Sequence, residues 1–191
     1  NWFDTAEIYG KGRSEQSLSY ALKKIGLPPG KTIIATKWWP IGRWAPSIKR
    51  TIDKRLDNLG GYPIALHQIH SPLGLSSVEK EMNAMADLIE EGKIKYIGVS
   101  NFNAERMRRA SEALDKRGHE LVSNQVVYSI LNRKIESSGV MDTARELGIT
   151  IIAYSPLAQG LLSGKFHQDQ ELIKQRPGSR KHMNKFKKVG L

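Results

Sequence analysis

The sequence contains no cysteine. Disulfides, thiolate metal sites and a cysteine nucleophile are therefore excluded, and no metal is expected. No apolar run approaches the roughly 18 residues that read as a membrane-spanning helix. No basic start leads into an apolar stretch of secretory type. The default expectation is a cytoplasmic protein with no membrane partner. No G-x-G-x-x-G follows any strand-like run, so the fingerprint of an open dinucleotide-binding sheet is missing. No zinc-finger or RNP-type pattern occurs, and aromatics do not interleave with the basic residues. Nucleic acid is therefore not the expected partner.

What remains is 191 residues of ordinary globular composition, 39% hydrophobic and 26% charged. The net charge is +11, and from Lys165 onward eight basic residues face two acidic ones. A solvated basic loop explains that excess most simply, and a phosphate-bearing ligand is the next reading. The chain begins at Asn1 inside a strand-like segment, which reads as a fragment or a processed chain.

Strand-like and helix-like segments alternate. Trp2 and Phe3 enter a strand ending at Asp4. Thr32–Lys37, Ile64–His70, Ile94–Val99, Leu121–Tyr128 and Thr150–Tyr154 are further apolar runs, near-continuous as in a parallel sheet covered by helices. Between them lie helical stripes such as Leu18, Ala21, Leu22 and Ile25, or Met82, Met85 and Ile89. Ser14, Ser76 and Asn103 are the expected caps, Ser76 as a capping box with Glu79. The strand ends fall near residues 4, 37, 70, 100, 125 and 154, and one strand with its crossover helix takes about 30 residues. Polar residues sit at the ends of many strands, as in a (β/α)8 barrel. The expected fold is α/β, a TIM barrel with about six βα units. Roughly one further unit would be needed before Asn1 and one after the tail to complete it. Residues 1–166 are expected to form this partial barrel, and 167–191 a basic irregular tail.

An acid, a phenol, an ammonium and an imidazole stand near strand ends at Asp4, Tyr9, Lys37 and His70. Taken singly, each has a bland explanation as a turn acid, a half-buried ring or a solvated lysine. Six ordered motifs change that. They are Phe3-Asp4-Thr5-Ala6-x-x-Tyr9-Gly10, Ala35-Thr36-Lys37, Gln68-Ile69-His70-Ser71-Pro72, Ile97-Gly98-Val99-Ser100-Asn101-Phe102, Asn124-Gln125-Val126-x-Tyr128, and Tyr154-Ser155-Pro156-Leu157-Ala158-x-Gly160-Leu161-Leu162-x-Gly164-Lys165. In this order, over residues 1 to 166, the chain resembles the aldo-keto reductases.

The resemblance implies a barrel that binds NAD(P)H and reduces aldehydes or ketones, with NADPH favoured over NADH. It implies Asp4, Tyr9, Lys37 and His70 as a catalytic tetrad with Tyr9 as general acid. Chemistry is consistent with that: hydride delivery builds charge on the carbonyl oxygen, and a proton donor must be near. A free phenol has a pKa of about 10, and a neighbouring ammonium lowers it. His67 and His70 are an odd number of residues apart, so only one faces the lumen. The motif selects His70, and His67 is expected against the helices. By the same resemblance Ser100, Asn101 and Gln125 hold the nicotinamide carboxamide, and Tyr154 stacks on its ring. Ser155, Leu157, Gln159, Gly160, Leu162, Gly164 and Lys165 match the loop over the pyrophosphate. Trp38, Trp39 and Trp44 are candidates for the substrate wall or for simple packing. No segment matches the family's site for the adenosine 2′-phosphate. Two competing readings remain: a regulatory subunit like the potassium-channel beta subunits, or an inactive truncated reductase. The channel subunits typically lack a histidine where His70 stands. The partner expected is a small carbonyl compound of unnamed identity, and the oligomeric state is open.

Overall fold

The computed structural model describes residues 1–169 and 171–174. Six strands form one sheet in sequential order: β1 (Trp2–Asp4), β2 (Ile33–Trp38), β3 (Ile64–Ile69), β4 (Ile94–Ser100), β5 (Leu121–Val127) and β6 (Thr150–Tyr154). The pairs from β1 through β5 are all parallel. Helices fill the crossovers: α1 (Arg13–Lys24), α2 (Pro46–Leu59), α3 (Val78–Glu90), α4 (Ala104–Asp115), the short α5 (Lys134–Ser137) and α6 (Val140–Glu146). This is the partial barrel architecture expected from the spacing. Among the described residues no helix is long and apolar enough to cross a membrane.

The chain divides into two compact units. One comprises Asn1–Val126 with Lys134–Ile152, the other Val127–Arg133 with the chain from Ala153 onward. In the first unit, register sorts the strands into two faces. Asp4 pairs Ala35, Lys37 pairs Gln68, Gln68 pairs Gly98, and Ser100 pairs Gln125. Side chains alternate along a strand, so Asp4, Lys37, Gln68, Gly98, Ser100 and Gln125 share one face. The opposite face carries Ile34, Trp38, Ile69, Ile97 and Val99, buried with Ile48, Ile52, Met82, Met85, Met107 and Leu114 of the helices. His67 is on that helical side, 1% exposed, and burial together with Arg55 pushes its pKa down to about 3.

Several local expectations change. Helix α1 is entered through Gly12 at φ 91, not capped by Ser14. The Ser14 hydroxyl instead accepts from Thr5 Oγ1 at 2.8 Å. Ser77, not Ser76, caps α3, and the Ser76 hydroxyl accepts from the Ala45 amide at 2.8 Å. Asn103 caps α4 as expected, accepting from the Arg106 amide at 2.9 Å. Tyr9 lies on a 3₁₀ turn, Tyr9–Gly12, that the apolar pattern did not signal.

The second unit holds a tight turn, Ala158–Ser163, followed by α7 (Lys165–Gln168) and α8 (Glu171–Lys174). Part of the stretch expected to be irregular is thus helical. The rest of the expected basic tail, residue 170 and residues 175–191, lies outside the described residues. Ala158, Leu161 and Phe166 form a small buried cluster with Leu162 and Leu172 against it.

Candidate active site

The first unit brings the four proposed catalytic residues together at the C-terminal ends of β1, β2 and β3. Lys37 is 1% exposed. Its ammonium is ion-paired with Asp4 Oδ1 and donates to the Thr5 carbonyl at 2.9 Å. Burial lowers the Lys37 pKa, and Asp4 opposes that shift by charge and hydrogen bond. The carboxylate is held in turn: Gln125 Nε2 donates to Asp4 Oδ2 at 3.1 Å, and Gln68 Nε2 approaches the same oxygen at 3.5 Å. Lys37 Nζ lies 5.5 Å from the centroid of the Tyr9 ring, and Tyr9 is 43% exposed.

His70 follows β3, its amide donating to the Trp38 carbonyl at 3.0 Å. Its ring meets Tyr9 edge-on with centroids 5.7 Å apart and Trp39 edge-on at 5.1 Å. Burial first, then the Lys37 charge, pushes its pKa down to about 4, with Asp4 pulling weakly the other way. The imidazole is neutral at physiological pH. Nδ1 is buried with no hydrogen-bond partner among the described residues, which leaves Nε2 as the ring nitrogen for an incoming atom. A buried ammonium against a phenol, beside a neutral imidazole, can transfer a proton to an oxygen and hydrogen-bond that oxygen.

The residues expected to hold an amide group are also assembled. Ser100 Oγ donates to the Gln125 carbonyl at 2.8 Å, and Asn101 Nδ2 donates to Ser100 Oγ at 3.1 Å. Asn101 sits at φ 60 with its own amide on the Gln125 carbonyl at 2.9 Å. Asn tolerates that left-handed conformation better than most residues. Gln125 thus joins the Ser100–Asn101 turn to Asp4. The preceding Asn124 faces the helices, its amide bonded to both backbone groups of Phe102.

In the second unit, Tyr154 is 37% exposed, with its carbonyl bonded to the Tyr128 amide at 3.3 Å. Ser155, Ala158, Gln159 and Gly160 all have positive φ, between 48° and 100°. Such conformations are costly for residues other than glycine and mark a constrained turn. A Cβ on Gly160 would come within 3.4 Å of Lys165 Cε, so the bare backbone there faces the lysine. Gln159 Oε1 is buried and has no hydrogen-bond partner among the described residues. Leu157 is exposed, Leu162 packs on the small cluster, and Gly164 at φ 80 opens α7. The Lys165 cation beside the side-chain-free Gly160 backbone is what a dinucleotide phosphate can use, whereas the unpaired Gln159 oxygen, an acceptor, suits a hydroxyl or amide of such a ligand and not its phosphate.

Of the three tryptophans, Trp38 is core, 1% exposed, with its indole N–H on Ser47 Oγ at 3.1 Å. Trp39 is at the site, and Trp44 is 61% exposed. Sequence reasoning missed Gln68 and a buried ionic cluster behind the tetrad. Glu7 Oε1 accepts from the Trp39 amide at 2.6 Å and from Arg43 at 2.5 Å, and its Oε2 pairs with Arg55. Arg55 also pairs with Glu15, 2.8 Å away, which accepts from Thr36 and Asn58 too. The only signal was Glu7 itself, an acid among apolar residues between Asp4 and Tyr9.

A cavity of about 820 Å³ opens at the other ends of the strands, lined by Trp2, Ile33, Ile64, Leu66 and Tyr96. None of the four proposed catalytic residues lines it.

The model of the Aldo/keto reductase family matches residues 1–190. An uncharacterized oxidoreductase of Mycobacterium tuberculosis is 38% identical over 182 residues, covering 95% of this chain and 53% of the relative. The L-glyceraldehyde 3-phosphate reductase of Escherichia coli K12 is 30% identical over 86% of this chain and 51% of its own. An aldo/keto reductase from Klebsiella pneumoniae, solved with NADP and acetate, superposes with a TM-score of 0.71 at 26% identity, over 92% of this chain and 60% of that one. The chain spans about half the length of the curated relatives it matches. With that family model matching residues 1–190 of the 191, the chain belongs to the aldo/keto reductase family.

Proposed function

We propose that this chain carries the catalytic centre of an NADPH-dependent reductase of aldehydes or ketones, with Tyr9 as the proton donor. The observation that carries the reading is the Lys37 ammonium, buried, locked to Asp4 and 5.5 Å from the Tyr9 ring. A positive charge so close favours the phenolate left after donation, which makes the phenol a usable acid near neutral pH. His70, neutral and reachable through Nε2, donates to the carbonyl oxygen and orients it. Gln125 and Gln68 hold Asp4 so that the ammonium stays in place. A reduced nicotinamide, when bound, supplies the hydride. Ser100, Asn101 and Gln125 would hold its carboxamide and Tyr154 its ring, and Ser155, Leu157, Gln159, Gly160, Leu162, Gly164 and Lys165 would form the loop over its phosphates. The choice of NADPH over NADH is supported by the Klebsiella neighbour, solved with NADP.

The test is Tyr9→Phe, assayed by loss of NADPH absorbance with an aromatic aldehyde. The expected loss in kcat is about 100-fold or more, while the NADPH affinity read by fluorescence titration stays within about threefold. An equal loss of both, or no loss of kcat, removes Tyr9 as the acid.

A further inference from the structure

Glu7 stands between the two ends of the proposed proton-transfer site, and nothing in the tetrad chemistry requires a carboxylate there. Its side chain is 5% exposed. Its backbone amide donates to the Lys37 carbonyl at 3.2 Å, extending the β1–β2 ladder beyond Asp4. Oε1 accepts from the Trp39 amide at 2.6 Å, two residues past Lys37. One residue therefore grips β2 at both Lys37 and Trp39. Oε1 also takes Arg43, 2.5 Å away and partly exposed on the following loop, and Oε2 takes the buried Arg55 of α2. A carboxylate has about four acceptor positions, and here three donors converge on it. The Trp39 indole held this way is the ring that meets His70 edge-on at 5.1 Å.

We infer that Glu7 is a positioning residue for the carbonyl site: it fixes the backbone of Trp39 and thereby the indole that closes one side of His70. The inference rests on the reductase reading for its kinetic consequence, but not for its structural one. What the clamp requires is an acceptor oxygen at the Trp39 amide, while the charge of the carboxylate serves the pairing with Arg55 and Arg43. When the clamp is lost, Trp39 moves, water reaches His70, and the carbonyl oxygen is held less well. The Ser100–Asn101–Gln125 turn, which is tied to Asp4 through Gln125 and not to Trp39, is expected to keep its geometry.

Two variants and one measurement on the unaltered protein test this. Glu7→Ala removes every acceptor. Glu7→Gln keeps an oxygen for the Trp39 amide but weakens the pairing with Arg55 and Arg43. In Glu7→Ala, KM for the carbonyl substrate should rise about tenfold while the NADPH affinity stays within about twofold. The His70 titration, followed by NMR of the imidazole, should move up from about 4 toward 6.5 as burial is relieved. In Glu7→Gln the thermal stability should fall, yet KM and the His70 titration should remain near those of the unaltered protein. In the unaltered protein the Trp39 amide should exchange with solvent about 100-fold more slowly than that of Ile41 in the neighbouring loop. The inference is overturned if Trp39 exchanges as fast as Ile41, or if Glu7→Ala lowers stability with KM and the His70 titration unchanged. It is also overturned if glutamine disturbs both readouts as much as alanine, which would make Glu7 only a member of the ionic cluster. Should Glu7→Ala fail to fold, the glutamine variant and the exchange rates decide. An inactive protein with the expected exchange and titration would refute the reductase reading and leave the clamp standing.

Discussion

Glu81→Gln tests a buried carboxyl in α3, and the pH dependence of its effect can be worked out in advance. Glu81 is 2% exposed, and its Oε1 has no hydrogen-bond partner among the described residues. A Cβ on Gly74 would lie 1.9 Å from that oxygen, so the carboxyl is pressed against the loop that follows His70. Burial pushes its pKa up to about 7 from an ordinary 4.5, with Arg106 opposing. The folded protein therefore keeps a proton that the unfolded chain releases above pH 4.5. Stability from this group falls as pH rises from 4.5 to 7, then levels off. A carboxyl moving from 4.5 to about 7 on folding represents about 3 kcal/mol.

Glutamine has the same shape and never ionises. At pH 4.5 the variant should match the parent, and at pH 8 it should be more stable by about 3 kcal/mol, or about 6–10 °C in Tm for a chain of this size. The comparison must be a difference between the two proteins at each pH. His67 and His70 titrate in the opposite sense, because their folded values of about 3 and about 4 lie below the ordinary 6.5. Their contribution is present above pH 6.5 and is lost as pH falls through those values, so it masks Glu81 in the parent alone. Denaturant melts of both proteins from pH 4.5 to 8 supply the difference. A flat difference across that range would mean that Glu81 titrates normally, and would refute the account of it as desolvated and unpartnered.

Lys37→Met keeps the volume of the buried side chain but removes the charge beside Tyr9. It should cut kcat by about 100-fold or more, shift the alkaline limb of the reductase pH profile upward, where the phenol loses its proton, and leave NADPH titration within a few fold. Unchanged kcat would detach Lys37 from the proton transfer. Gly98→Ala places a methyl 2.4 Å from Ser123 Oγ and 3.1 Å from Gln68 Cγ in the middle of the sheet. It should cost about 1–3 kcal/mol in thermal or denaturant melts, and Ser123→Ala should recover much of that loss. No recovery would mean that backbone shifts, not the hydroxyl, limit the fit.

The βα order was legible because each strand is a nearly unbroken apolar run, and burial on both sides of a parallel sheet demands that. The four proposed catalytic residues were picked out by the ordered motifs of the resemblance, and register places Asp4, Lys37 and Gln68 on one face. Residue parity alone separated His67 from His70. The same parity applied to β2 separates Trp38 from Lys37, and it would have sent Trp38 to the core. The caps failed where a tertiary bond outweighed the local one. Ser14 and Ser76 have good cap chemistry, but Thr5 and the Ala45 amide claim their hydroxyls.

The ionic cluster was illegible for a different reason. Glu7 and Arg55 are 48 residues apart, and charged side chains are ordinarily read as solvated. Nothing periodic marks an acid that is buried only because an arginine from α2 arrives to meet it. Yet that cluster lies beside the proposed catalytic residues, joining the segment after β1 to the end of β2. Breaking a buried pair by removing one partner leaves an unpaired charge, which costs far more than the pair contributes. The penalty makes the segment from Asp4 to Tyr9 and the end of β2 hard to move independently. Tyr9 itself is 43% exposed, so the buried pairs on the segment that leads to it, not packing of its own ring, are what restrain it. The strand ends that carry the proposed proton-transfer residues are thus tied to α1 and α2 by charges whose pairing only the folded chain reveals.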